Sequence, residues 1–126
     1  MTMETEKNTL GDVLLAEVLP AWTRQTGTLA DQAGADVLVG AVLGKVTASG
    51  KYVPVAPAAS DGSQNAAAVL AEDKLAHNDD GDAVVIARGA VVNTAGLVWP
   101  GGATTPQKTA ALAQLEALGI VARAAL

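Results

Sequence analysis

Residues 40–55 constrain the fold more than any other part of the chain. They read Gly-Ala-Val-Leu-Gly-Lys-Val-Thr-Ala-Ser-Gly-Lys-Tyr-Val-Pro-Val, with short apolar alternations on both sides of an Ala-Ser-Gly turn. The apolar positions are Val42, Val46, Val53 and Val55. Such alternation is typical of β-strands, and Gly50 tolerates the positive φ that a tight turn requires. The segment therefore predicts a β-hairpin over residues 38–55 and a β-rich protein.

The same segment superficially resembles a phosphate-binding loop. That motif places four residues between its glycines and a Ser or Thr after its Lys. Here three residues separate Gly40 from Gly44, and Val46 follows Lys45. Because no hydroxyl follows the lysine to bind Mg²⁺, a plain hairpin is favoured over a nucleotide site.

The N-terminal third of the chain predicts an arm rather than a domain. Residues 1–12 are polar, and residues 23–36 have the composition of a loop. Between them, residues 13–22 are apolar and ambiguous between helix and strand, although Pro20 favours a strand or an extended arm. We therefore predict two parts: an N-terminal arm and loop over residues 1–36, and a β-rich domain over residues 37–126.

The remainder of the chain predicts further strands and one helix. The predicted strands are residues 66–75, 83–88 with an extension to 92, 97–99 and 120–121. The helix is predicted over residues 106–118, where Thr105 supplies the N-cap, Pro106 suits the first position and Gly119 closes the end. Its apolar stripe consists of Leu112, Leu115 and Leu118. The predicted fold class is mainly β with one C-terminal helix.

The amino-acid composition limits which partners the protein can have and how its fold can be stabilised. The chain of 126 residues has no Phe, and its three aromatic residues are Trp22, Tyr52 and Trp99. Aromatic side chains normally contribute much of the buried area of a core, so we expect part of the stability to come from contacts between subunits. The formal net charge of −5, without a Lys/Arg cluster, argues against nucleic acid as a partner.

The sequence also predicts a protein made and used inside a cell. The polar, acidic start is unlike a secretory signal, and no apolar run approaches the roughly 20 residues that span a bilayer. No membrane partner is therefore expected. The absence of Cys excludes disulfides and thiolate metal sites.

Polar residues give weak signals for catalysis or metal binding. His77, the only histidine, lies in an Asp-rich turn, where a solvated side chain is favoured over a catalytic triad. Asn78, Asp80 and Asp82 alternate as calcium ligands do, but the required following Gly and the later Glu are missing. We therefore predict no catalytic, cofactor-binding or metal residues, and we leave open whether this turn binds a cation.

Three residues are candidate anchors of an interface between subunits. Arg88 lies in an apolar run, so it is either paired with a carboxylate across a subunit boundary or exposed on a strand face. Trp99, followed by Pro100, is either the main core plug or an interface anchor.

Several stretches taken in order resemble the head decoration proteins of lambda-like tailed bacteriophages. The matching stretches are residues 42–47, 49–54, 58–63, 67–70, 85–93, 97–100, 107–111 and 118–120. The resemblance covers residues 13–122, and residues 1–36 match least well. It implies a β-clip-like bent ribbon with an extended N-terminal arm. It also implies a homotrimer on the outside of the expanded phage head, where it clamps neighbouring major capsid proteins and stabilises the shell.

The chemistry of the arm suits that role. The residues predicted to contact the capsid are Val13, Leu14, Leu15, Val18, Leu19 and Trp22. An apolar extended segment can add a strand to the open sheet edge of a neighbour. Three arms joined in one trimer would convert weak single contacts into avid binding, with a gain of roughly 10²–10⁴.

Two other functions remain open at this stage. Trimeric dUTP hydrolases share the β-clip architecture, but their Gly-rich tail carries a stacking aromatic, and residues 121–126 contain none. The other alternative is a small binding or adhesion module elsewhere on the virion.

Overall fold

A closed five-stranded β-barrel forms the centre of the protein. The computed structural model describes residues 9–124, apart from the side chains of residues 76 and 77. The predicted polar leader, up to residue 8, and the side chain of His77 therefore lie outside the described residues.

The described residues form ten strands, three helices and one 3₁₀ turn. The strands are β1 (Leu14–Glu17), β2 (Arg24–Leu29), β3 (Ala35–Val37), β4 (Val42–Lys45), β5 (Tyr52–Pro54), β6 (Ala66–Leu70), β7 (Lys74–His77), β8 (Gly81–Ile86), β9 (Ala90–Asn93) and β10 (Ile120–Arg123). The helices are α1 (Leu10–Val13), α2 (Pro20–Thr23) and α3 (Thr105–Ala117), and the 3₁₀ turn is Thr94–Gly96. The predicted class, mainly β with one long C-terminal helix, is confirmed.

The barrel is built around the predicted hairpin. Its strand order is β2-β5-β4-β6-β8, and β4 and β5 run antiparallel with Lys45 opposite Tyr52. Gly50 in the connecting turn has a φ of +71°, as the sequence predicts. Strand β2 closes the barrel because it pairs with β8 along its whole length, from Arg24 opposite Ile86 to Leu29 opposite Gly81.

A three-stranded sheet with the order β1-β9-β10 packs beside the barrel. Strand β1 is antiparallel to β9, whereas β10 is parallel to it, with Ile120 opposite Ala90. Parallel neighbours need a crossover connection, and α3 is part of that connection here. A separate antiparallel pair joins β3 to β7.

Strand β4 of the barrel is buried on both faces. Adjacent residues of a strand point to opposite sides. In β4, Val42 belongs to the cluster shared with α3 and the three-stranded sheet, whereas Leu43 belongs to a second cluster with Tyr52. Both residues are fully buried.

Helix α3 begins one residue earlier than predicted. Thr104, not Thr105, is the N-cap: its hydroxyl accepts a hydrogen bond from the Gln107 backbone N–H, and the Gln107 side-chain oxygen accepts one from the Thr104 backbone N–H. Gly119 follows the helix with a φ of +83°, as predicted. In the predicted apolar stripe Leu115 is fully buried, Leu112 is half-buried and Leu118 is exposed.

Five predicted elements differ from the structure. The predicted strand 83–88 with its extension to 92 is two strands, because the turn at Gly89 separates β8 of the barrel from β9 of the three-stranded sheet. Strand β2 replaces part of the predicted loop 23–36, and residues 66–75 form two strands rather than one. In the ambiguous segment 13–22 only β1 is a strand, because Pro20 begins the single-turn helix α2. The predicted strand 97–99 makes a single bridge, Ala41 to Val98.

The N-terminal arm of residues 1–36 thus includes strands that pair with the rest of the chain, through β1 with β9 and β2 with β8. The boundary at residue 36 stays a prediction. Within residues 9–124, none of the helices is long and apolar enough to cross a membrane.

Candidate functional site

Exposed large apolar side chains are concentrated between β1 and β2. Six such side chains are exposed among the described residues, and four of the six lie in residues 15–22, which we call the exposed apolar segment. The six exposed fractions are 42% for Leu15, 74% for Val18, 56% for Leu19, 48% for Trp22, 54% for Leu75 and 43% for Leu118. A cluster of this kind is typical of a protein-binding surface.

The six predicted arm residues fall into two groups. Val13 is fully buried in the core, and Leu14 is half-buried against it. The other four are the members of the exposed apolar segment. A contact of the arm with another protein therefore depends on those four side chains, and Val13 has a structural role.

The turn at Gly89 holds the exposed apolar segment in place. The Gly89 carbonyl accepts hydrogen bonds from the Val18 N–H at 2.9 Å and from the Thr23 hydroxyl at 3.1 Å. Gly89 has a φ of +59°, which favours glycine, and the Trp22 ring lies against its backbone. The segment is thus held against the connection between β8 and β9 at Val18, at Trp22 and at the adjoining Thr23.

An ion pair between Arg24 and Glu17 also holds the exposed apolar segment in place. The Arg24 guanidinium donates from Nε to one oxygen of Glu17 at 3.0 Å and from an Nη to the other at 2.8 Å. This two-point geometry fixes orientation as well as distance. The hydrogen bond to Glu17 raises the pKa of Arg24 above its ordinary value.

Arg88 finds its partners within its own chain. It donates hydrogen bonds to the Trp22 carbonyl and to the Gln25 side-chain oxygen, and its guanidinium carbon lies 5.9 Å from the centre of the Trp22 ring. Both hydrogen-bond partners are neutral, so a carboxylate partner of Arg88 across a subunit boundary stays a prediction.

Trp99 and Pro100 lie in a different place from Arg88. Both are half-buried, and Trp99 packs against the core cluster that contains Leu115. They line a groove with residues of α3, including Ala111. The structure therefore does not bring the three candidate interface anchors together. One part of the Trp99 side chain packs against the core, and the remainder is accessible in the groove.

The carboxylates of Asp80 and Glu72 have partners within the fold. Asp80 of the Asp-rich turn pairs with the Lys51 ammonium and accepts the Asp31 N–H. Glu72 accepts the backbone N–H of Val84. Within the described part of the chain, no group of three or more His, Cys, Asp or Glu residues could hold a metal ion.

Sequence reasoning missed one groove beside the exposed apolar segment. It is lined by Trp22 and Arg88 together with Lys45 and Tyr52 of the hairpin. Lys45 and Tyr52 are neighbours across β4 and β5. Trp22 lies near them only because of long-range packing, which local sequence patterns do not reveal.

A family model matches almost the whole chain. A search of curated proteins found none that matches the chain. The family model described as bacteriophage lambda head decoration protein D matches residues 3–120, which is nearly the whole sequence. The resemblance seen in the sequence is thereby confirmed, and the chain belongs to the phage lambda head decoration protein D family.

Proposed function

We propose that this protein binds as trimers to the outer surface of the expanded phage head and clamps neighbouring major capsid proteins. Membership of the head decoration family supports a structural role on the capsid. The trimer, the clamping and the contact residues are the specific content of the proposal.

The observation that carries the contact is the exposed apolar segment. Val18, Leu19 and Trp22 are between about half and three-quarters exposed, although Val18 and Trp22 both contact Gly89. Large apolar groups that are both exposed and preorganised bind another surface with little loss of conformational freedom. Burial of such groups contributes about 25 cal/mol per Å².

The free edge of β1 offers a second kind of contact. In the described structure β1 pairs only with β9, so its other edge is available to a strand from a neighbour. Each added main-chain hydrogen bond contributes about 0.5–1.5 kcal/mol. A trimer on a three-fold site would repeat these modest contacts three times, and avidity would then hold it to the shell.

Point substitutions test the contact better than removal of the arm. Deleting residues 1–22 would also remove Val13 from the core and β1 from its sheet. We therefore suggest Val18→Asp with Leu19→Asp, and Leu75→Asp as a matched control because Leu75 is an exposed apolar residue outside the segment.

The measurement is co-sedimentation with expanded and unexpanded heads that lack the protein. We expect wild type and Leu75→Asp to bind expanded heads and the double variant to lose binding. Equal binding of all three proteins would contradict the contact. Light scattering of the free protein and its position on particles by cryo-microscopy test the trimer and the outer three-fold site. A position on the tail would favour the adhesion module instead.

A further inference from the structure

The groove between the hairpin and the exposed apolar segment is positively charged in a protein whose net charge is −5. It encloses about 640 Å³, and its lining includes Lys45, Tyr52, Trp22 and Arg88 around small alanine side chains. We call it the cationic groove. Among the described residues no Asp or Glu lines it, although the chain as a whole has 13 acidic and 8 basic residues.

Each cation of the groove lies over an aromatic ring and lacks a carboxylate partner. Lys45 Nζ is 5.5 Å from the centre of the Tyr52 ring, and Arg88 is similarly placed over Trp22. None of the ion pairs formed within the described residues involves Lys45 or Arg88. Arg88 uses two of its five donors on Trp22 and Gln25, so donors remain for a ligand.

Tyr52 adds a neutral polar group. Burial raises the pKa of its phenol, and the positive charge of Arg88 opposes that rise only in part. The phenol is therefore protonated at neutral pH. Two cations and two aromatic rings in one groove fit a ligand that combines carboxylates with apolar side chains.

We propose that the cationic groove binds a short acidic segment of the shell protein, with its carboxylates directed to Lys45 and Arg88. This rests on the proposed function, since it names the chemistry of the partner at the same surface. Trp22 belongs both to the groove and to the exposed apolar segment, so the two surfaces are continuous. That continuity favours the shell protein over a second copy of this chain.

The test compares two charge reversals in the full chain. Lys45→Glu changes a groove cation whose described contact is the Tyr52 ring. Lys108→Glu makes the same change in charge on α3, where Lys108 lines a different groove with Trp99. Affinity for expanded heads lacking the protein is measured from low to high salt. Light scattering of each free variant follows its oligomeric state.

We expect Lys45→Glu to weaken head binding about tenfold or more at low salt, with the difference shrinking as salt screens the charges. Lys108→Glu should bind like wild type. If wild type binds heads and the two variants have equal affinities, the groove proposal is overturned while the proposed function stands. Failure of wild type to bind heads would overturn the proposed function. A change of oligomeric state in Lys45→Glu alone would identify a second copy as the occupant and would also overturn this proposal.

Discussion

The ring of Trp22 lies directly on the backbone of Gly89. A Cβ built on Gly89 would come within 2.2 Å of Cζ3 of Trp22, which is far closer than any real contact allows. Gly89 also has a φ of +59° and accepts two hydrogen bonds through its carbonyl. Gly89 therefore contacts the exposed apolar segment both through its carbonyl and through the Trp22 ring.

Gly89→Ala should destabilise the protein and displace Trp22. An L-residue at positive φ costs about 1–2 kcal/mol, and overpacking adds about 1–3 kcal/mol. Urea unfolding gives the stability, and tryptophan emission reports the displaced ring. Gly102→Ala is the control, since Gly102 has a φ of +80° but no atom within 4 Å of an added Cβ. If both variants lose equal stability, the contact with Trp22 contributes nothing.

Gly44→Ala should destabilise the protein through a steric clash alone, because Gly44 is not one of the glycines with a positive φ. Its Cβ would lie 2.2 Å from the Ser63 carbonyl oxygen, which already accepts the Ala56 N–H. Because that oxygen is backbone, the clash needs a main-chain shift, which we expect to cost about 1–3 kcal/mol. Gly101→Ala, which meets nothing within 4 Å, should stay within about 0.5 kcal/mol of wild type in the same urea titration.

Leu115→Ala should loosen α3 from the core. Leu115 is fully buried, and truncation of a buried Leu costs about 2–5 kcal/mol. Leu118→Ala is the matched change on an exposed side chain, and we expect a loss of about 1 kcal/mol or less. Thermal unfolding followed by circular dichroism compares them. Similar losses in the two variants would mean that α3 is held by contacts other than Leu115.

Asp61 should make the protein sensitive to acid. Hydrogen bonds from the Ser63 hydroxyl and backbone N–H lower the pKa of Asp61 in the folded protein. A lowered folded pKa contributes stability above the unfolded pKa, near 4, and that contribution is lost as the pH falls through the folded pKa.

The Tm of wild type should therefore fall more steeply below about pH 4 than that of Asp61→Asn, which cannot titrate at this position. Calorimetry between neutral pH and pH 2.5 measures both slopes. Parallel curves for the two proteins would show that the titration of Asp61 does not contribute to the loss of stability in acid.

Local chemistry made α3 and the central hairpin predictable. Pro106, Gly119 and the leucine spacing are enough for a helix, and Gly50 between valine-rich alternations is enough for a hairpin. Strand β2 was missed because Arg-Gln-Thr-Gly-Thr-Leu has little apolar alternation. It is a strand because β8 supplies hydrogen bonds along its length, from residues that lie far along the chain.

The candidate site was only half predictable for the same reason. Apolar character alone identified Leu15, Val18, Leu19 and Trp22, but it also selected Val13, which the fold places in the core. The pairing of Arg88 with Trp22 spans 66 positions in sequence and depends on the Gly89 turn. No spacing rule for local motifs connects residues so far apart.

Strand β9 lies between β1 and β10, which are the earliest and latest strands of the described chain. This sheet can be completed only after β10 has been synthesised, so a ribosome-bound chain holds β9 with one neighbour missing. Contacts of such long sequence separation also slow folding. A truncation near either terminus should therefore damage the same sheet, and fusions to the two ends should interfere with one another.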